Sequence, residues 1–204
     1  PHDISRRQRQ MCIRDSFNSD KKASARNMIM GRGHSVIAET TIKSSIVQRI
    51  LNVDISELEK YQELGPTTSR LAGTQGTHLH ISNALTAIYL ATGQETACEA
   101  ENSVGHFTVE KVDDGITWRL TLPSMTVGTV GGGTRLNQQQ QNLKLLGCDS
   151  GEHSSRKLAE IIAAAALGLE ISLGSAIMSH TWTSAHMKYC LLYTSDAADE
   201  RWRG

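Results

Sequence analysis

The chain has 204 residues, a length that suits one domain or a piece of a larger one. Hydrophobic residues make up 39% of it, enough for a core, and 21 basic residues balance 21 acidic ones. This balance removes the electrostatic reason to expect nucleic acid or an anionic membrane surface as a partner. We expect no membrane span, because Glu170 interrupts the longest apolar run, residues 161–173.

The first half of the chain predicts one strand followed by helices. Alternating, β-branched residues predict a strand over residues 34–42. Helical spacing of apolar residues predicts three helices, over residues 43–51, 55–64 and 82–92. Asp54 is a candidate cap for the second helix, Pro66 predicts a break after it, and Gly93 predicts the end of the third.

The second half predicts a hairpin, a further strand and more helices. Asp113-Asp114-Gly115 between alternating runs is a strong hairpin signal. The remaining elements are strands over residues 106–112, 116–122 and 125–130, and helices over 136–146, 156–167 and 170–179. Ser154 or Ser155 is expected to cap the second of these helices, and the last helix extends or follows it. Strands and helices mix without βαβ regularity, which indicates an α+β fold.

The two ends of the chain are antisense to each other. Residues 190–200 read CLLYTSDAADE, and the reverse complement of DNA encoding them, shifted by one base, reads RRQRQMCIRDS, which is residues 6–16. The string also resembles the transposon adapter used to make sequencing libraries. We therefore expect residues 1–16 and 190–204 to be adapter-derived, and residues 17–189 to be a native fragment. Its two cysteines, Cys98 and Cys148, fit a reducing compartment better than a disulfide framework.

Two segments are candidates for an anion site. In the triplet Asp20-Lys21-Lys22 a positioned lysine can stabilise an oxyanion, although the spacing alone favours a solvated charged turn. The run from Gly128 to Thr134 lets a backbone approach a phosphate or another chain, so a ligand loop and a tight packing turn both remain open. This run is neither a dinucleotide fingerprint nor a Walker A loop.

Histidines and one carboxylate complete the candidates. His78 and His80 lack a third ligand at matching spacing, so we expect structural roles for them and no metal. His186 follows a predicted helix near the native end, where a mobile tail can deliver an acid. Glu95 is a candidate buried carboxylate, with a surface cap as the alternative.

Five motifs in order resemble the 3-hydroxy-3-methylglutaryl-coenzyme A (HMG-CoA) reductase family. They are DKK (residues 20–22), GRGHSVIAE (31–39), TAIYLATGQE (86–95), LPSMTVGTVGGGT (122–134) and HM (186–187). The resemblance implies part of the large, substrate-binding domain of that α+β fold, with the small cofactor domain missing. It also implies reduction of HMG-CoA to mevalonate and coenzyme A with two hydrides from NADPH, NADH not being excluded.

The resemblance implies roles for individual residues. Lys21 matches the catalytic lysine, Glu95 the carboxylate beside it, and His186 the acid that protonates the departing thiolate. The positions that match substrate-contacting residues are Asp20, Lys22, His80 and Asn83. Gly131, Gly132 and Gly133 match a segment beside the cofactor. The family also implies HMG-CoA and coenzyme A as ligands, a homo-oligomer, and a location in the cytoplasm or on the cytoplasmic face of a membrane.

Some features depart from the family pattern. Glu95 stands where the family has aspartate, and the extra methylene can displace the carboxylate by about 1 Å. The family's K-N-L-x-G-S run is unrecognisable over residues 61–70, and residues 79–82 keep only the histidine of N-A-H-A. The family's catalytic glutamate and dinucleotide loop would lie upstream. We therefore expect the isolated chain to be inactive, and the alternative is a non-catalytic paralogue that binds coenzyme A or a partner.

Overall fold

A computed structural model of the chain describes residues 19–189. Its elements in chain order are α1 (Ala25–Met30), β1 (His34–Lys43), α2 (Ser44–Ile46), a π-helical turn (Val47–Leu51), α3 (Ile55–Leu71), α4 (Ile81–Thr92), a 3₁₀ turn (Thr96–Cys98), α5 (Glu99–Asn102), β2 (His106–Val112), β3 (Gly115–Met125), a 3₁₀ turn (Gly132–Arg135), α6 (Asn137–Leu145), α7 (Ser154–Met178) and α8 (Trp182–Tyr189). Helices and an antiparallel sheet share one core, so the α+β prediction is confirmed.

The sheet has three antiparallel strands in the order β1-β3-β2. β2 and β3 form the predicted hairpin, in which Val112 pairs with Gly115 and the two aspartates make the loop. β1 pairs along the other edge of β3, from His34 opposite Met125 to Lys43 opposite Gly115. β3 is therefore the central strand, and Trp118, Leu120 and Leu122 on its inner face are fully buried.

Helix α7 packs against β1, β3 and α4 and forms the centre of the core. It runs as one helix of 25 residues, so the segment after Glu170 extends the predicted helix. The predicted serine cap is wrong: His153 occupies the N-cap without a side-chain bond, and both serines lie inside the first turn. By length and composition alone α7 could cross a membrane, contrary to the sequence expectation. Half of that stretch is buried inside the domain, as in an ordinary core helix, so this is weak evidence for a span.

The predicted break at Pro66 is also wrong, because α3 continues through it to Leu71. Proline removes one backbone donor, so the carbonyl of Gln62, four residues earlier, loses its usual helical partner, but Gln62 is exposed and its carbonyl can bind water instead. The start of the helix is as predicted, with Asp54 accepting from the backbone N–H of Ser56 at 3.0 Å.

The predicted strand over residues 125–130 is wrong beyond Met125, where β3 ends. Side chains bind the backbone there in place of a neighbouring strand. The side-chain oxygen of Asn102 accepts from the backbone N–H of Thr126. The side-chain amide of Gln94 accepts from the backbone N–H of Gly128 and donates to its carbonyl. The chain therefore leaves the sheet and enters the glycine run as a loop held by side chains.

Candidate active site

The loop of residues 19–22, which carries the charged triplet, is tied to the body of the domain. The buried Asn27 on α1 donates its side-chain N–H groups to the carbonyls of Ser19, at 2.8 Å, and Lys22, at 2.9 Å. Ser24 caps α1 by accepting from the backbone N–H of Asn27. The turn is therefore charged but held in one conformation, unlike a freely solvated one.

An ion-pair network lies behind this loop. Arg32 donates to Glu101 through Nε at 2.8 Å and through Nη2, which also reaches Asp20 Oδ1 at 2.6 Å. Glu101 is fully buried and accepts from the backbone N–H of Lys21 at 3.1 Å. The hydrogen bonds with Glu101 are the main reason that the pKa of Arg32 is raised above its usual value.

Lys21 points its ammonium away from this network and toward Glu95. The distance from Lys21 Nζ to Glu95 Oε2 is 3.7 Å, and the two side chains are 43% and 59% exposed. The suggestion of a buried carboxylate at position 95 is therefore wrong. Glu95 begins the 3₁₀ turn after α4, where its carbonyl accepts from Cys98 N–H and its side chain is left at the surface.

Lys21 and Glu95 border a cleft of about 600 Å³, which we call the Lys21 cleft. Its wall also includes Asp20, Arg26, Arg32 and Cys98. Three basic and two acidic side chains thus surround one open space, which suits a polar, negatively charged ligand beside a lysine.

Different glycines of the run from Gly128 to Thr134 serve the two roles that the sequence left open, a packing turn and a ligand loop. A side chain on Gly133 would meet the backbone of Gly93 at 2.7 Å, so this glycine allows the loop to pack on the end of α4. Gly131 and Gly132 have φ angles of 88° and 52°, and a side chain there would meet nothing within 4 Å. These two glycines therefore present open backbone. Gln94, one residue before Glu95, holds the same loop through Gly128.

His80 lies at the N-terminus of α4, where Glu170 of α7 binds it. Glu170 is fully buried and accepts from the backbone N–H groups of Leu79, at 2.6 Å, and His80, at 2.7 Å. Its Oε1 also lies 3.1 Å from His80 Nδ1. Asn83 is exposed in the first turn of the helix, where its backbone N–H donates to the His80 carbonyl. Neither residue lines the Lys21 cleft.

His186 comes after α7, as the sequence had suggested, but it lies within a further helix, α8. Its ring is exposed and stacks on Trp182 with a centroid distance of 5.1 Å. It does not line the Lys21 cleft, so the structure does not bring it to Lys21. Over residues 19–189 no three histidine, cysteine, aspartate or glutamate side chains form a group that could hold a metal.

Sequence reasoning missed the two buried carboxylates, Glu101 and Glu170. Each is held by donors far away in the chain, 69 residues away for Arg32 with Glu101 and 90 for His80 with Glu170. No local pattern marks such a pairing. The one available signal for Glu170 is a single acid inside the apolar run of residues 161–173, which is rare unless the charge is bound.

The sequence is similar to those of known proteins. The family described as Hydroxymethylglutaryl-coenzyme A reductase matches residues 2–190. A 3-hydroxy-3-methylglutaryl-coenzyme A reductase 1 of Solanum tuberosum is 41% identical over 186 residues, 87% of this chain and 31% of the relative. A reductase 3 of Hevea brasiliensis is 41% identical over 183 residues, 85% of this chain and 31% of the relative.

A fungal relative gives the same result. A 3-hydroxy-3-methylglutaryl coenzyme A reductase of Monascus pilosus is 41% identical over 182 residues, 85% of this chain and 17% of the relative. The chain thus spans about a third or less of the length of these curated relatives. The family match begins at residue 2, so the boundary of the adapter-derived segment at residue 16 stays a prediction. The chain belongs to the hydroxymethylglutaryl-coenzyme A reductase family.

Proposed function

We propose that the complete protein containing this chain reduces HMG-CoA to mevalonate and coenzyme A. In this reaction a thioester carbonyl accepts two hydrides in succession, and the thiolate of coenzyme A leaves between them. The observation that carries the proposal is Lys21, an exposed ammonium on a fixed loop at the wall of the Lys21 cleft. Its charge stabilises the negative oxygen that develops as each hydride arrives.

The neighbours of Lys21 have supporting roles. Glu95 lies 3.7 Å from the ammonium and limits the motion of the Lys21 side chain. Asp20 and Lys22 flank Lys21 on the same loop and contact the hydroxymethylglutaryl group. His80 and Asn83 contact the substrate outside the Lys21 cleft, and Glu170 fixes the orientation of His80.

His186 protonates the departing thiolate. A histidine suits this step because it can hold a proton near neutral pH and release it. Helix α8 is the last described element, and residues 181–188 are exposed, so the proposal includes a movement of α8 that brings the ring to the Lys21 cleft.

NADPH is the proposed cofactor, and it supplies the hydrides when bound. Gly131 and Gly132 fit such a group, because their positive φ angles and the open space around them leave backbone accessible to a phosphate or an amide. Gly133 supports the loop from behind through Gly93. The remaining cofactor contacts, a homo-oligomer, and a location in the cytoplasm or on the cytoplasmic face of a membrane are proposed from the family resemblance.

The test begins with the complete coding sequence, amplified from the source DNA across residues 17 and 189 without library adapters. The expressed protein should oxidise NADPH only when HMG-CoA is present. Lys21→Met removes the ammonium at nearly constant length and should lower kcat by at least about a thousandfold, an oxyanion-stabilisation effect of roughly 4 kcal/mol. Lys144→Met, on the exposed face of α6, is the matched control and should retain full activity.

Two results would contradict the proposal. Full activity of Lys21→Met would remove the lysine from the reaction. A complete protein that binds coenzyme A but never oxidises NADPH would support the non-catalytic paralogue instead.

A further inference from the structure

Glu101 lies behind the Lys21 loop, outside the wall of the Lys21 cleft, and is fully buried. Burying a carboxylate is costly unless every oxygen is bound, so its contacts indicate what it does. One oxygen, Oε1, accepts from Arg32 Nε at 2.8 Å. The other, Oε2, accepts from Arg32 Nη2 and from the backbone N–H of Lys21 at 3.1 Å. Both oxygens are therefore used to hold groups of the site.

The backbone of Lys21 needs such a partner. Its φ angle is 55°, a left-handed conformation that residues other than glycine rarely adopt. A hydrogen bond from this N–H to a fixed acceptor stabilises the left-handed form over the extended alternatives. The direction of the Lys21 side chain depends on this angle, and so does its distance to Glu95.

Arg32 extends the same support to Asp20. Its guanidinium bridges the buried Glu101 and the half-exposed Asp20 with a planar fork that a lysine cannot reproduce. Glu101 therefore holds Lys21 directly, through its backbone N–H, and holds Asp20 indirectly, through Arg32.

The base of this arrangement is rigid. Glu101 sits on α5, and the next residue, Asn102, is buried and accepts from the Tyr89 hydroxyl at 2.6 Å and the Thr126 hydroxyl at 2.9 Å. Asn102 also donates to the carbonyl of Ser124 at the end of β3. Glu101 is therefore fixed relative to the sheet, and the loop is fixed relative to Glu101.

We propose that Glu101 is a positioning residue that, together with Arg32, holds Asp20 and Lys21 in the conformation that the reduction requires. This inference rests on the proposed function for its effect on turnover, and on the geometry alone for its effect on the loop. Glu101 touches no substrate. It acts by fixing the backbone that carries Lys21.

The test compares Glu101→Gln with Glu99→Gln in the complete protein. Glutamine at position 101 has one acceptor and one donor group, so it leaves an N–H of Arg32 or Lys21 facing another donor. Glu99 lies on the same short helix and binds neither of those residues in the described contacts, so its substitution removes the same charge without touching the loop. Arg32→Lys is a second variant, which keeps the charge and loses the fork.

We expect Glu101→Gln to lower kcat by about 10- to 100-fold, the cost of a misplacement near 1 Å, with a KM change of at most about threefold. Arg32→Lys should act in the same direction, and Glu99→Gln should match the unmodified protein. The second readout needs no activity: limited trypsin digestion should cut after Lys21 and Lys22 at least about tenfold faster in Glu101→Gln, under conditions where all variants remain folded.

The two readouts separate the possible failures. If the unmodified complete protein does not oxidise NADPH, the proposed function fails, and faster cleavage in Glu101→Gln still supports the positioning role. Unchanged kcat and an unchanged rate of cleavage in both Glu101→Gln and Arg32→Lys would overturn the positioning role of Glu101. If Glu101→Gln does not fold, Arg32→Lys alone decides by the same two measurements.

Discussion

The close approach of Gly93 to the glycine run makes a quantitative prediction for Gly93→Ala. Gly93 ends α4 with a φ angle of 70°, and a Cβ there would lie 2.4 Å from the carbonyl carbon and oxygen of Gly133. Gly73, which follows α3, has nearly the same φ of 71°, but a Cβ there would meet nothing within 4 Å. The two positions share the backbone conformation and differ in the space around it.

The expected magnitudes follow from that difference. Alanine in a left-handed conformation costs about 1–2 kcal/mol, and this is the whole cost expected for Gly73→Ala. At Gly93 the clash is with backbone atoms that no rotamer change can relieve, so overpacking adds about 1–3 kcal/mol. We therefore expect Gly93→Ala to lower the free energy of unfolding by about 2–5 kcal/mol.

Urea unfolding measures both variants, with the fluorescence of the fully buried Trp118 as the signal. The quantity that tests the reasoning is the difference between the two variants, because the shared cost of the φ angle cancels. Equal losses at the two positions would refute the close approach of α4 to the glycine run.

Three further predictions concern the buried carboxylate of α7, a partly buried tyrosine and the chain as a whole. Glu170→Gln should lower the free energy of unfolding by about 2–4 kcal/mol, because an amide cannot accept from all three donors at the start of α4. The control is Glu160→Gln, at an exposed position on the same helix, which should change the free energy of unfolding by less than about 0.5 kcal/mol. Similar values for the two variants would contradict the role of Glu170. Burial, with a smaller contribution from Glu170, raises the pKa of Tyr61 to about 12, so its contribution to stability is complete below pH 10 and about 2–3 kcal/mol is lost as the pH rises from 10 to 12. Urea unfolding across that range should show a shallower loss in Tyr61→Phe, and parallel curves would refute the assignment. The 204-residue chain expressed alone should not oxidise NADPH with HMG-CoA, and measurable turnover in a spectrophotometric assay would show that it contains a complete site.

The elements that could be predicted are those specified by neighbouring residues. The hairpin followed from Asp113-Asp114-Gly115, the start of α3 from Asp54, and the end of α4 from Gly93. In each case the physical cause, a turn conformation or a capping bond, lies within a few residues of the signal. The ordered motifs that resemble the reductase family indicated a site at Lys21 and at Glu95 beside it. The comparisons confirmed the family.

The features that could not be predicted depend on distant partners. Met125 ends β3, because Asn102 and Gln94 bind the following backbone. The burial of Glu101 depends on Arg32, which the chain brings to it from 69 residues away. A sequence shows which residues can form such contacts, and only the fold shows which of them do.

The position of β3 between its two neighbours has a consequence for the order of folding. β2 and β3 are joined by a two-residue loop, whereas Thr41 of β1 and Thr117 of β3, whose hydroxyls are 2.9 Å apart, are separated by 76 residues. Closing that long loop costs chain entropy before any contact is gained, so we expect the hairpin to form first and β1 to join last. Until then one side of β3 offers unpaired backbone groups to other chains. Pulsed hydrogen exchange during refolding should protect the amides between β2 and β3 before those between β1 and β3, and aggregation should compete mainly during that interval.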